Sequence, residues 1–149
     1  MSWSRTESSS IGEGVLADTG VLIAIADRRD AHHAACLAFA EGFQGRLKVL
    51  PTVVTETAWM LERYLSPEAE AGFLDSVAAG QLELVTMERR DLARMADLIR
   101  KYADFPLGAV DASVVAVAGR LRLTEVATLD HRHFSAIRPE HVKAFTLLP

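Results

Sequence analysis

The stretch Gly14–Asp27, GVLADTGVLIAIAD, decides how the rest of the chain is read. It is apolar almost throughout, and one carboxylate, Asp18, interrupts it. Gly14 to Ala17 has the length of a short buried strand, Asp18-Thr19-Gly20 carries turn chemistry, and Val21 onward begins a helical segment. A strand that ends in an acid and passes straight into a helix opens a β–α unit. In an open parallel sheet the carboxyl ends of the strands are where ligands gather, so Asp18 stands in a position that deserves a reason.

Outward from this stretch the alternation continues. Residues 31–43, AHHAACLAFAEGF, are Ala-rich and end near Gly42 like a helix with a glycine C-terminus, and residues 47–51, LKVLP, give a second short strand closed by Pro51. Residues 52–65, TVVTETAWMLERYL, place Val54, Ala58, Leu61 and Leu65 on one helical stripe. Residues 66–80 follow as a helix with Ser66 as N-cap and Pro67 at its first position. LELV at 82–85 is a third strand, and residues 88–103 form an amphipathic helix through Leu92, Met95, Leu98, Ile99 and Tyr102. Residues 107–121, LGAVDASVVAVAGRL, are apolar nearly all round, so their helix belongs inside, and EVAT (125–128) and KAFTLL (143–148) supply two more strands. Strands alternating with helices predict a three-layer α/β/α domain around a parallel sheet of about five strands.

Composition sets the frame. The chain has 149 residues, 50% of them hydrophobic and 24% charged, enough for one sizeable core and one domain, read here as residues 14–149. Residues 1–13, polar and Ser-rich with no apolar h-region, read as a flexible extension rather than a signal peptide. No segment has the length of a membrane span. The single cysteine, Cys36, can make no intramolecular disulfide and reads as a small buried hydrophobe in a cytoplasmic protein. A net charge of −4 excludes a broad basic surface as the means of attracting nucleic acid, so any such partner needs a local site.

Four acids share one geography. Asp18 ends the first strand, Glu56 lies in the first turns of the helix after the second, and Asp130 follows the fourth in TLDHRHF. Asp111 sits near the start of the buried helix, which topology alone does not assign to that edge. Each has an ordinary explanation: Asp18 and Asp130 as helix caps, Asp111 as an N3 acid on the helix dipole, Glu56 as a solvated charge. Together they are harder to explain away. Two carboxylates ~5 Å apart repel by roughly 3 kcal/mol at an effective dielectric of ~20, so a converging set takes up protons or holds a cation. Oxygen ligation without cysteine or paired histidine suits Mg²⁺ or Mn²⁺, which polarises a phosphoryl group and activates a water for attack on phosphorus.

LADTGVLIA (16–24), PTVVTETAWML (51–61), FPLGAVDASVVAVAGRL (105–121) and VATLDHRHF (126–134), in this order and spacing, resemble the motifs of PIN-domain ribonucleases, and the compact domain is similar to the VapC toxins of bacterial toxin–antitoxin pairs. The resemblance runs from about Val15 to the C-terminus. It implies a five-stranded parallel sheet, an acidic site of Asp18, Glu56, Asp111 and Asp130 that binds Mg²⁺, Thr19 and Ser113 as hydroxyl supports, RNA as substrate, a homodimer, and inhibition by a VapB-type antitoxin. It also places Asp111 with the other three acids. Asp104, in KYADFPLG, reads first as a loop or cap residue and otherwise as a contact behind the site; Arg132, Arg28 and Arg29 read first as solvated surface charge and otherwise as groups that reach a phosphate. His131 and His133 read as surface-loop residues that an all-oxygen site does not need. Residues 53–79 carry Trp59, Met60, Tyr64 and Phe73 beyond the core stripe, which reads equally as ordinary core and as an interface for a second copy or an antitoxin.

Two other classes compete with the nuclease: a non-catalytic α/β binding module that keeps the acidic groove, and a phosphoacceptor receiver domain. The second requires an Asp after the third strand and a Lys after the fifth, and LELVTME and KAFTLLP offer neither in place.

Overall fold

The computed structural model describes residues 12–149. The expected extension, residues 1–13, therefore lies outside the described residues except for Gly12 and Glu13, of which Gly12 donates its N–H to the Arg122 carbonyl. The elements in chain order are β1 (Val15–Ala17), α1 (Thr19–Ala26), α2 (His33–Gly42), β2 (Lys48–Val49), α3 (Pro51–Tyr64), α4 (Pro67–Ala78), β3 (Glu83–Leu84), α5 (Arg89–Lys101), α6 (Ala109–Leu121), β4 (Glu125–Ala127), α7 (His131–Ala136) and β5 (Thr146–Leu148).

The strands form one parallel sheet in the order β3-β2-β1-β4-β5. β1 lies at its centre, with Leu16 opposite Lys48 on one side and Val126 on the other, and Val15, Leu16 and Ala17 are all buried because helices cover both faces. Gly14 enters β1 at φ +125°, a conformation that side chains resist, where a Cβ would also meet the Lys48 side chain. The strand order reverses between β1 and β4, so the carboxyl ends of these two strands flank the switch point.

Several helices differ in detail from their sequence reading. α1 begins at Thr19 rather than after a three-residue turn, because Asp18 caps it directly. Pro51 does not close β2 but occupies the first turn of α3, where its missing N–H costs nothing. On α3, Ala58 and Leu61 of the expected stripe are buried, Val54 and the C-cap Leu65 are half-buried, and Val53 and Thr57 join the buried face. On α5, Met95 and Leu98 are buried as expected, but Leu92 and Ile99 face outward and Asp91 takes the inward place. α6 is the central helix, with every residue from Ala112 to Ala118 buried. Cys36 is buried in the core, and Ser66 caps α4 by accepting from the Ala69 N–H. No helix among the described residues is long and apolar enough to cross a membrane.

Candidate active site

The capping that starts α1 also builds the site. Asp18 is 6% exposed; its Oδ1 accepts from the Thr19 N–H at 2.8 Å, and its Oδ2 accepts from the Thr128 hydroxyl at 3.0 Å. The Thr128 oxygen in turn accepts from the Asp130 N–H at 2.9 Å, so one buried hydroxyl fixes the acids that follow β1 and β4 relative to each other. Asp130 caps α7, accepting from the His133 N–H at 3.1 Å, and its other oxygen lies 3.0 Å from His133 Nδ1. His133 Nε2 donates to the Pro106 carbonyl at 3.0 Å, which ties α7 to the loop ahead of α6. The segment HRHF is thus a short helix and not a surface loop.

Asp111 is the third residue of α6. A helix that leads into a strand ends at that strand's amino edge and so starts at the carboxyl edge, which is the physical reason Asp111 joins Asp18 and Asp130. Glu56 arrives from α3, whose first turn is held against α6 through the Thr52 and Ser113 hydroxyls, 2.7 Å apart. Ser113 donates its own proton to the Val110 carbonyl, so Thr52 is the donor between them.

Asp18, Glu56, Asp111 and Asp130 together line one open groove of about 500 Å³, with Thr19, Ile23 and Met60 among its walls. No lysine or arginine lines it among the described residues. Burial raises the Asp18 carboxyl above its ordinary range; the Thr19 N–H and Thr128 hydroxyl oppose this, while the charges of Glu56 and Asp130 add to it. Asp111 is pushed up to about 7, first by burial, then by the charges of Asp18 and Asp130, with His133 opposing. The site is a concentration of negative charge with no lysine or arginine among the described residues of its lining, and His133 beside Asp130 is the base that stands with it.

The donor set fits a divalent cation. One ligand atom from each of Asp111, Asp130 and His133 lies within 4.8 Å of the others. The Thr19 hydroxyl, buried beside Asp18, has no hydrogen-bond partner among the described residues. Oxygen donors dominate, as Mg²⁺, Mn²⁺ or Ca²⁺ prefers.

Of the other expected site residues, Ser113 is buried behind the groove and acts through Thr52. Asp104 is exposed on the turn after α5, and Arg132 is exposed on α7 with its guanidinium 5.1 Å from the Phe105 ring centroid; neither lines the groove. Arg28 and Arg29 are exposed beyond α1. Sequence reasoning missed Thr128, which pairs with a residue 110 positions away, and the contact of His133 with Asp130, for which the i to i+3 spacing was the available signal.

A central parallel sheet with an acidic groove at its switch point, and no glycine-rich phosphate loop after β1, sets the chain among α/β domains whose ligand edge is acidic rather than among dinucleotide-binding folds. The chain belongs to the PIN domain family, whose model matches residues 15–138. It is of the VapC type: it is 33% identical over 135 residues to Ribonuclease VapC26 of Mycobacterium tuberculosis, covering 91% of this chain and 100% of that protein. The crystal structure of M. tuberculosis VapC20, a sarcin–ricin loop cleaving toxin, shares the fold with a TM-score of 0.77 at 14% identity, over 88% of this chain and 98% of that one. DNA-bound VapBC from Salmonella typhimurium matches with a TM-score of 0.67 at 18% identity, over 90% and 97% of the two chains.

Proposed function

We propose that this chain is a Mg²⁺-dependent endoribonuclease acting in the cytoplasm as the toxin of a VapBC-type pair, with residues 14–149 as its catalytic domain. The observation that carries the reading is the groove in which Asp18, Glu56, Asp111 and Asp130 converge with no lysine or arginine among its described lining residues. Asp18, Asp111 and Asp130 are the proposed metal ligands, with Glu56 completing the acidic set. When bound, the ion offsets the charge on the phosphate and acidifies a water for attack on phosphorus. Thr128 donates to the Asp18 carboxylate and accepts from the Asp130 backbone N–H, which ties the two residues together, and the Thr19 N–H restrains Oδ1 of Asp18. The Thr52–Ser113 bond keeps the helix bearing Glu56 at a fixed height beside Asp111. Asp111, raised to about 7 by burial and by the charges of Asp18 and Asp130, holds a proton through part of the neutral range, and a cation held there would favour its ionised form.

Water attacks phosphorus in line and the ribose 3′ oxygen leaves, so the products carry 5′-phosphate and 3′-hydroxyl ends. Incubating purified protein with single-stranded RNA and Mg²⁺ and mapping the termini tests this, and 2′,3′-cyclic phosphate ends would overturn it. The proposed partner, a VapB-type antitoxin, has a second groove to occupy. That groove, of about 480 Å³, is lined by apolar residues that include Leu22 and Ile25 of α1, Ala40 of α2, Phe43 just after it and Phe73 of α4. The Salmonella structural neighbour is itself a VapBC assembly. A homodimer has apolar surface available on α5, where Leu92 and Ile99 are 57% and 39% exposed.

A further inference from the structure

One helix carries both an acid of the groove and an exposed aromatic pair. On α3, Glu56 and Met60 line the acidic groove, and Trp59 and Arg63 continue the same face at helical spacings of three and seven residues from Glu56. Trp59 is 55% exposed and Tyr64 63% exposed. Arg63 lies between them, its guanidinium 5.8 Å from the Trp59 centroid and 5.9 Å from that of Tyr64, and it forms no ion pair with an acid among the described residues. Burying such large rings would favour folding, so leaving them in solvent beside the groove calls for a ligand.

Resting on the reading of the groove as a ribonuclease site, we propose that Trp59 and Arg63 form a platform for single-stranded RNA entering the groove: Trp59 stacks on an unpaired base, and Arg63 meets the neighbouring phosphate. The chemistry selects this occupant. Unpaired bases are read by stacking on aromatic rings and guanidinium planes, and a cation free of any acid partner beside the ring meets the phosphate that such a base carries. Position supports it too. Seven residues of helix place Arg63 about 10 Å along the axis from Glu56, within reach of a nucleotide adjoining the one being cut. A second pairing of the same kind, Arg132 over Phe105, stands on the α7 side, beside Asp130. The acidic groove repels a polyanion, and these two arginine–aromatic pairs put the cationic charge on its flanks.

The test is a kinetic comparison of wild type, Trp59→Ala and Trp59→Phe on a single-stranded RNA oligonucleotide, with light scattering of each protein. The proposal expects KM to rise about 5- to 150-fold in Trp59→Ala, with kcat within a factor of two and Phe restoring most of the loss. It also expects Trp59→Phe, Trp59→Ala and wild type to have the same oligomeric state. The chain has two tryptophans, so Trp3→Phe leaves Trp59 as the sole reporter, and RNA should quench its fluorescence. Unchanged KM in Trp59→Ala overturns the platform while leaving the nuclease intact; a wild type that cuts no RNA overturns the underlying reading instead. A change of oligomeric state in Trp59→Ala also overturns the proposal and assigns this face to a second copy.

Discussion

Two regions of this molecule bury carboxylates, and they treat them in opposite ways. Asp91, on the first turn of α5, is 2% exposed and sits beneath Arg120 of α6, whose Nε lies 3.0 and 3.1 Å from its two oxygens. One of those oxygens also accepts the Glu88 N–H at 2.8 Å, and Arg120 reaches on to the Thr86 carbonyl and the Glu88 carboxylate. Every charge there has a fixed protein partner. Asp18 is almost as buried, yet its nearest charged neighbours are other acids. A structural carboxylate is matched by the chain that buries it; the groove's carboxylates are left for something that comes from outside. The difference separates a joint between two helices from a binding site more sharply than burial does.

The largest effect expected from this contrast is on activity. Asp18→Asn or Asp111→Asn should reduce RNA cleavage about 10³-fold or more, equivalent to roughly 4 kcal/mol of transition-state stabilisation, measured as initial rate at saturating Mg²⁺. Asp91→Asn should leave the rate per folded molecule close to wild type, because it touches only the far joint. Equal losses in both regions would erase the distinction.

Thermal melting should show the reverse order. Arg120→Ala strands the Asp91 charge in the interior and should cost about 3–5 kcal/mol, lowering Tm by about 10 °C. Asp18→Asn removes a charge that the metal-free fold holds at a cost, so in chelator its Tm should equal or exceed that of wild type. A drop in Asp18→Asn comparable to that in Arg120→Ala would make the acid structural and defeat the comparison. The third expectation concerns the missing partner itself. Mg²⁺ or Mn²⁺ at a hundredfold excess over Kd should stabilise wild type by about 2.7 kcal/mol, and Asp18→Asn should lose that shift while Asp91→Asn keeps it.

How far the sequence foretold these regions follows from where each partner lies in the chain. Asp18 and Asp130 were legible because they lie at or just past a strand's end, which announces the ligand edge, and Glu56 because it lies in the first turns of the helix after the second strand. Asp111 needed the resemblance, although the direction of its helix was in principle enough. Thr128 was not legible as the hydroxyl joining Asp18 to Asp130, since a threonine at the end of an apolar strand carries no mark of a contact 110 residues away. The inward place of Asp91 was not legible for a related reason. A helical wheel sorts by polarity, so it sent Leu92 and Ile99 inward, and only Arg120 from another helix gives Asp91 its place in the interior. The edge of the α3 stripe has the same origin: Thr57 is polar by type but buried in fact. Local periodicity places elements well, and long-range polar pairing lies beyond it.

The smallest effect is also the one most specific to uncompensated charge. In metal-free protein the Asp111 carboxyl titrates near 7, whereas in the unfolded chain it titrates near its ordinary 3.8. The folded state therefore binds more protons than the unfolded state between these values, so stability falls as pH rises through that window. Below about pH 4 the acid is protonated in both states and contributes no penalty; above pH 7 the penalty is complete. Asp111→Asn should remove it, so the variant's advantage over wild type in EDTA should grow from near zero at pH 4 to about 1–2 kcal/mol at pH 8, after discounting for the partial exposure of the group. That is a Tm difference of about 3–6 °C, and saturating Mg²⁺ should reverse its sign, because the ion stabilises only the protein that retains the ligand. A pH-independent difference would mean that Asp111 acts through packing, and the groove would then resemble the Asp91 joint more than its geometry allows.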